Sequence, residues 1–365
     1  MGSIPITRSS FPRRSFRIYV GPGLSSPSAP DSGAPKDDDE PDAQLTGAVA
    51  LHNRDFRLFF LGKAFASIAL HMVTVAVGYQ VYDRTGNPMD LAYIGLATFA
   101  PAFGFALITG YVADLFDRRY VLSICYGVMM LSAALLLIFT LSGHASVWPA
   151  FLCMSVMGAG RAFYQPASNA FVPNLVPVEQ FPNAVAWNTG ANKVSQVLGP
   201  AIGGGLYLLG PDVVYATAMV GFVLGILTTC LIRTRTQRTG KEPTNLRTLL
   251  AGLRYVYNKK VIFGAITLDL FVVILGGVTA LLPIFAKDIL EVGPSGAGLL
   301  RSATAFGAVL AAAALTQVAM NHSVGKILYV TTFIFGFATI AFSFSHWFWL
   351  SMIAMAIIGA SDMVS

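Results

Sequence analysis

Charge is what this sequence has least of. Asp, Glu, Lys and Arg make up 12% of its 365 residues while 55% are hydrophobic, about half the usual charge content of a soluble domain. That imbalance excludes a chain written for water. Cysteine is also scarce. Cys125, Cys153 and Cys230 each stand alone in apolar segments, without metal-ligand or redox spacing, so buried inert thiols are expected. A Walker loop, a His-Glu-x-x-His zinc pair and a Gly-x-Ser-x-Gly nucleophile elbow are all missing. The chain therefore offers no catalytic residue, no metal ligand and no cofactor, and is expected not to be an enzyme. Alternating ten-residue strand patterns are absent too, which excludes a membrane barrel.

What remains is a series of apolar segments from residue 56 onward, each near the ~20 residues an α-helix needs to cross a hydrocarbon core. Ten spans are expected, at 56–82, 91–112, 120–141, 147–168, 184–209, 213–232, 261–285, 297–319, 325–344 and 346–365. The partner implied is a lipid bilayer. Before the first span, residues 1–52 are rich in Pro, Ser and Gly, which predicts a disordered cytosolic extension. Its arginines and serines also fit an organelle transit peptide, with a start site placed too far upstream as the blander alternative. One long polar loop, 233–260, separates spans 6 and 7, and its stretch "TNLRTLLAGLRYVYNKK" has the helical spacing of a membrane-surface helix.

The net charge of +6 is topological and does not indicate a nucleic-acid partner. With residue 1 inside, the inner flanks carry Arg54, Arg57, Arg118, Arg119, Lys326 and the cations of 233–260, whereas the outer loops carry only Arg84 and Lys287. The positive-inside rule thus predicts a multi-pass protein of the cell (inner) membrane with a cytoplasmic amino terminus. A shift of 206 residues lays "TGNPMDLAYIGLATFA" over "EVGPSGAGLLRSATAF", the mark of an internal duplication. A duplicated six-helix unit predicts twelve helices. The expectation is therefore an N-terminal bundle at 53–232, a linker at 233–260, and a C-terminal bundle at 261–365 that stops two helices short.

Three stretches carry a resemblance. In "ITGYVADLFDRRYV", between spans 2 and 3, Gly110, Asp114, Arg118 and Arg119 match the loop signature Gly-x-x-x-Asp-(Arg/Lys)-x-Gly-(Arg/Lys)-(Arg/Lys), with Asp117 in place of the second glycine. "GAGRAFYQPASNAFVPNLVP" and "NAVAWN" follow in spans 4 and 5, and then "SQVLGPAIGGGLY". Together they resemble the major facilitator superfamily, in the branch of macrolide efflux proteins and the enterobactin exporter. The resemblance implies an all-α membrane protein of two pseudo-repeated six-helix bundles, here about ten transmembrane helices with the C-terminal bundle incomplete. It implies that Asp114, in the loop, latches the two halves against an eleventh helix. Gly199, Pro200, Gly203 and Gly204 match its antiporter signature in span 5, which implies export by antiport. Read physically, Gly110 lets span 2 approach a neighbour, Pro200 bends span 5, and Gly203 to Gly205 form a smooth packing face.

Charges within spans mark function or internal pairing. They are Lys63, Arg161, Lys193, Asp269, Arg301 and Asp362. Lys63 and Asp269 are 206 apart, and Arg161 aligns with Asp362 after five residues of loop difference. Facing the central cavity, Lys63 and Asp269 would exchange partners, with Asp269 as the proton carrier; a snorkelling Lys63 and a structural pair fit equally. Arg161 is expected near the cytosolic end of span 4, beside Asp114 and Asp117. Asn188, Asn192, Lys193 and Gln196 form a polar stripe on span 5 that lines the pathway or faces other helices. The expected function is proton-coupled antiport of a small hydrophobic compound, drug or siderophore by a monomer, powered by the proton gradient. An importer or exchanger on the same fold, or a non-transporting remnant or scaffold, is the alternative.

Overall fold

The structure, a computed structural model, describes residues 49–143, 146–234, 277–317 and 324–364, with Lys259, Phe263, Gly264 and Thr267. The extension, the surface helix expected within 233–260 and Asp269 lie outside the described residues. Among the described residues the chain forms ten α-helices and no strand: α1 (Arg54–Thr85), α2 (Pro88–Leu115), α3 (Arg118–Leu141), α4 (Trp148–Phe171), α5 (Phe181–Leu206), α6 (Pro211–Cys230), α7 (Val278–Ile284), α8 (Gly293–Gln317), α9 (Val324–Ser343) and α10 (Phe348–Val364). Each falls on one expected span. Five of them, α1, α2, α3, α6 and α8, contain stretches long and apolar enough to cross a membrane on length and composition alone.

The breaks between helices follow from their end residues. Gly86 takes a left-handed φ of 61°, so its N–H can return to the Tyr82 carbonyl and end α1. One residue later the Asn87 side chain accepts from the Met89 N–H, and Pro88 at the first helical position starts α2. Asp117 does the same for α3, accepting from the Arg119 N–H at 3.1 Å. Since every described helix reverses direction, Gly86, the α3–α4 turn, Gly210 and Gly293 share one end of the molecule. The α2–α3 turn, with Arg118 and Arg119, lies at the other.

Buried apolar residues form one cluster from α1 to α6 and a second from α7 to α10. Large apolar side chains such as Phe103, Leu152 and Phe337 point outward, as a bilayer-facing surface requires. Trp148, Trp347 and Trp349 are exposed near the starts of α4 and α10, where interfacial aromatics belong. The first half joins the second mainly through α5 against α8.

Helix packing repeats between the halves. Gly158 of α4 lies directly against the Thr98 carbonyl of α2, and Gly359 of α10 lies against the Thr304 carbonyl of α8. Thr98 and Thr304 are 206 positions apart, and Gly158 and Gly359 are 201 apart, so the duplication seen in the sequence recurs in the backbone contacts. Without a hydrophobic driving force between helices in lipid, such small-residue contacts supply the van der Waals packing that holds the bundles.

Candidate functional site

Between the halves lies a cavity of ≈ 500 Å³, walled by α1, α2 and α4 on one side and by α7 and α8 on the other. Its size falls in the range of small-molecule pockets, roughly 300–1,000 Å³. Apolar side chains including Leu91, Ile94, Phe99 and Leu282 make most of the wall, and Thr74, Thr98 and Thr279 add hydroxyls. Two arginines, Arg161 from α4 and Arg301 from α8, complete it.

Arg161 is thereby moved from its expected place. It sits at the middle of α4, at the level of Thr98 and Ala102, and not at the α2–α3 end beside Asp114 and Asp117. Twelve residues of helix separate Ala102 from Asp114, about 18 Å at 1.5 Å per residue. Beyond Arg161 on α4, Tyr164 and Ser168 are still buried inside the bundle.

At the Gly86 end the cavity is closed by contacts between the halves. The Tyr82 hydroxyl donates to Asp288, and Lys287 donates to Asp83 at 2.7 Å. Tyr79 packs edge-on against Tyr207, and both join Ala286 and Ala297 in a small apolar cluster. Lys287 and Asp288 lie on a π-helical turn, Phe285–Ile289, that follows α7. Tyr82 and Asp288 are 206 apart, so two pseudo-equivalent positions meet where the halves touch. The repeat offset carried that signal, but Lys287 alone reads as an ordinary loop cation.

The loop arginines work as helix caps. Arg118 donates to the Ala170 carbonyl at 3.0 Å, and Arg119 donates to the Ile232 carbonyl at 2.5 Å. The guanidiniums thus meet the open carbonyls and negative dipole ends of α4 and α6. Asp55 acts in the opposite sense, accepting from the Arg233 and Thr234 N–H groups just past α6. The Asp114 side chain lies outside the described residues. Gly110 is corrected: a methyl group there would meet nothing within 4 Å, because α2 makes its close approach at Thr98, three turns away.

The α5 motif sits between the halves. A Cβ at Gly199 would lie 2.5 Å from the His71 Cβ, and one at Gly203 would lie 2.8 Å from the Met72 Cα, both on α1. At Gly204 it would lie 2.6 Å from the Pro294 carbonyl oxygen of α8. Gly205 meets nothing, so the close face is Gly199, Gly203 and Gly204 without it. Pro200 lacks an N–H and loosens the preceding turn, and Ser302 of α8 donates to the Val197 carbonyl there at 2.6 Å.

Lys63 does not line the cavity. It is 1% exposed, and its Nζ donates to the Asn188 Oδ1 at 2.6 Å within the first half. Asn188 gives the amine an acceptor inside its own bundle, so pseudo-equivalence with Asp269 did not set its direction. Asn192, Lys193 and Gln196 are half-buried and also lie outside the cavity wall, and Asp362 is exposed near the end of α10. Among the thiols, Cys125 and Cys153 are buried as expected, but Cys230 is exposed at the last residue of α6.

A family model described as transmembrane secretion effector matches residues 46–365. The chain belongs to that family. Transmembrane secretion effectors are major facilitator proteins, and this one is similar to macrolide efflux protein A of Streptococcus pyogenes, 23% identical over 64% of this chain and 59% of the relative. It is also similar to the enterobactin exporter EntS of Escherichia coli O1:K1 / APEC, 24% identical over 85% of this chain and 74% of the relative. The chain spans about three fifths of the macrolide efflux relatives it matches. A solved bacterial homolog of the human lysosomal transporter Spinster, inward-facing and occupied, superposes with a TM-score of 0.67 at 18% identity, over 87% of this chain and 74% of that one. A D-xylose-proton symporter superposes with a TM-score of 0.58 at 14% identity, over 85% and 80%. These likenesses agree on the fold: a multi-pass, all-α membrane protein of a transporter family.

Proposed function

We propose that this transmembrane secretion effector is a proton-coupled antiporter that exports a small, partly hydrophobic compound by alternating access. The observation that carries this is the cavity between two similarly packed halves, closed at one end by Tyr82–Asp288 and Asp83–Lys287. A pocket shared by two separable bodies changes its open side when they rock. An exposed ion pair is worth only about 0–1 kcal/mol, so the closure is weak enough to reverse. The cation distribution supports an orientation with the Arg118 end and the amino terminus in the cytoplasm and the Gly86 end outside. Efflux names among the relatives support export over import. Asp269 is the proton carrier in this reading, with the proton gradient as energy source, the cell membrane as location, no cofactor, and a monomer as the working unit.

Everted vesicles carrying the full chain test it, with a macrolide, enterobactin and 2-naphthoate as cargo. The account expects uptake of at least one compound, collapse of that uptake by a protonophore, and its loss in Asp269→Asn. Uptake that survives both treatments would sink the antiport reading.

A further inference from the structure

We infer that Arg161 and Arg301 form an oxyanion site, so that the cargo is an amphipathic anion carrying a carboxylate or phosphate group. This names the substrate class for the export reading and rests on it. The two guanidiniums come from opposite halves, α4 and α8, and line the same cavity. Among the described residues neither has a hydrogen-bond or ion-pair partner, and no Asp or Glu lines the wall. By contrast, Arg118 and Arg119 hold carbonyls, and Lys287 holds Asp83.

Arg161 is exposed to the cavity space and Arg301 is half-buried; a cation inside a span with no protein acceptor is costly, and two of them facing one space also repel. An oxyanion placed between them removes both penalties, and the planar N–H fork of Arg suits carboxylate and phosphate oxygens in particular. Thr279 adds a hydroxyl donor beside it, the Thr74 and Thr98 hydroxyls being donated to the Leu70 and Ile94 carbonyls, while Leu91, Phe99 and Leu282 accept an apolar body. The repeat explains why the site is not symmetric. The position equivalent to Arg301 in the first half is Gly95, on the same wall, where a Cβ would meet nothing within 4 Å. Because the arginines belong to different halves, one anion bound to both would also couple its own presence to the relative position of those halves.

The full chain in phosphatidylcholine nanodiscs is titrated calorimetrically with 2-naphthoate and 1-naphthyl phosphate, with 2-naphthol and 2-naphthylmethylammonium as neutral and cationic controls. The anions are expected to bind at least tenfold more tightly than either control. Arg161→Gln and Arg301→Gln each remove that preference, and Arg301→Lys keeps most of it. Competition by added phosphatidylglycerol would assign the oxyanion to a lipid headgroup; no competition assigns it to a soluble cargo. Controls binding as tightly as the anions would overturn the site. So would a monodisperse double Arg161→Gln/Arg301→Gln protein that keeps the anion preference. Anion binding without protonophore-sensitive movement of 2-naphthoate in everted vesicles would uphold the site and refute the export reading instead.

Discussion

Gly298→Leu is expected to abolish transport and to destabilise the protein by about 3 kcal/mol or more, at or beyond the upper end for overpacking a tight interior. Gly298 of α8 lies directly against the Pro200 carbonyl of α5, and a Cβ added to Gly298 would lie 3.0 Å from the Gly204 Cα of α5. Both neighbours are backbone, so neither can rotate away as a side chain would. The added side chain has to push α8 off α5, which is the main contact between the halves. Gly205→Ala and Gly110→Ala are the controls, since a methyl group at either site meets open space. Each should leave stability within about 0.5 kcal/mol, or raise it through helix propensity. Thermal melts of the four purified proteins, read with vesicle uptake, check this. A Gly298→Leu protein that melts and transports like its parent would show that α5 and α8 do not meet as described.

Asn188→Leu is expected to cost about 3 kcal/mol or more, because it strands a buried amine with no acceptor. Lys63 is 1% exposed, and its Nζ donates to the Asn188 Oδ1 at 2.6 Å. Removing the cation should be far cheaper: Lys63→Met replaces it with an apolar chain of similar length, and the double variant Lys63→Met/Asn188→Leu should recover most of the loss. The same series separates two roles for Lys63. A structural amine predicts that Lys63→Met keeps protonophore-sensitive uptake, whereas an amine that exchanges partners during transport predicts that uptake disappears while stability is kept.

Most of the fold was legible because the signals were local or periodic. Helix positions followed apolar length, and the breaks followed Gly86, Asn87-Pro88 and Asp117, whose turn and cap chemistry acts within a few residues. The 206-residue offset survived into the backbone, since close packing at Thr98/Gly158 and Thr304/Gly359 depends on small residues that both halves retain. Direction and depth were harder to read. Lys63 was legible as a charge inside a span, but the acceptor that captures it, Asn188, is 125 positions away. Arg161 is expected near the end of span 4, but α4 runs on to Phe171 and holds it at mid-helix, with Tyr164 and Ser168 beyond it buried in the protein interior. Gly110 matched a signature, yet its packing role depended on a neighbour that does not approach it. Arg118 and Arg119 were read as membrane-edge anchors, and the carbonyls they cap lie on helices far away in sequence.

The central claim is that two halves rock around the cavity, closing one end as the other opens. Pulsed electron paramagnetic resonance tests this most directly, on a protein freed of Cys125, Cys153 and Cys230. One spin-label pair at Thr85→Cys and Glu291→Cys reports the Gly86 end, and a second at Phe116→Cys and Met363→Cys reports the other. The account predicts a short distance for the first pair at rest. A change of pH, or added 2-naphthoate, should populate a longer distance there while the second pair shortens. A single distance at each end under every condition would contradict it.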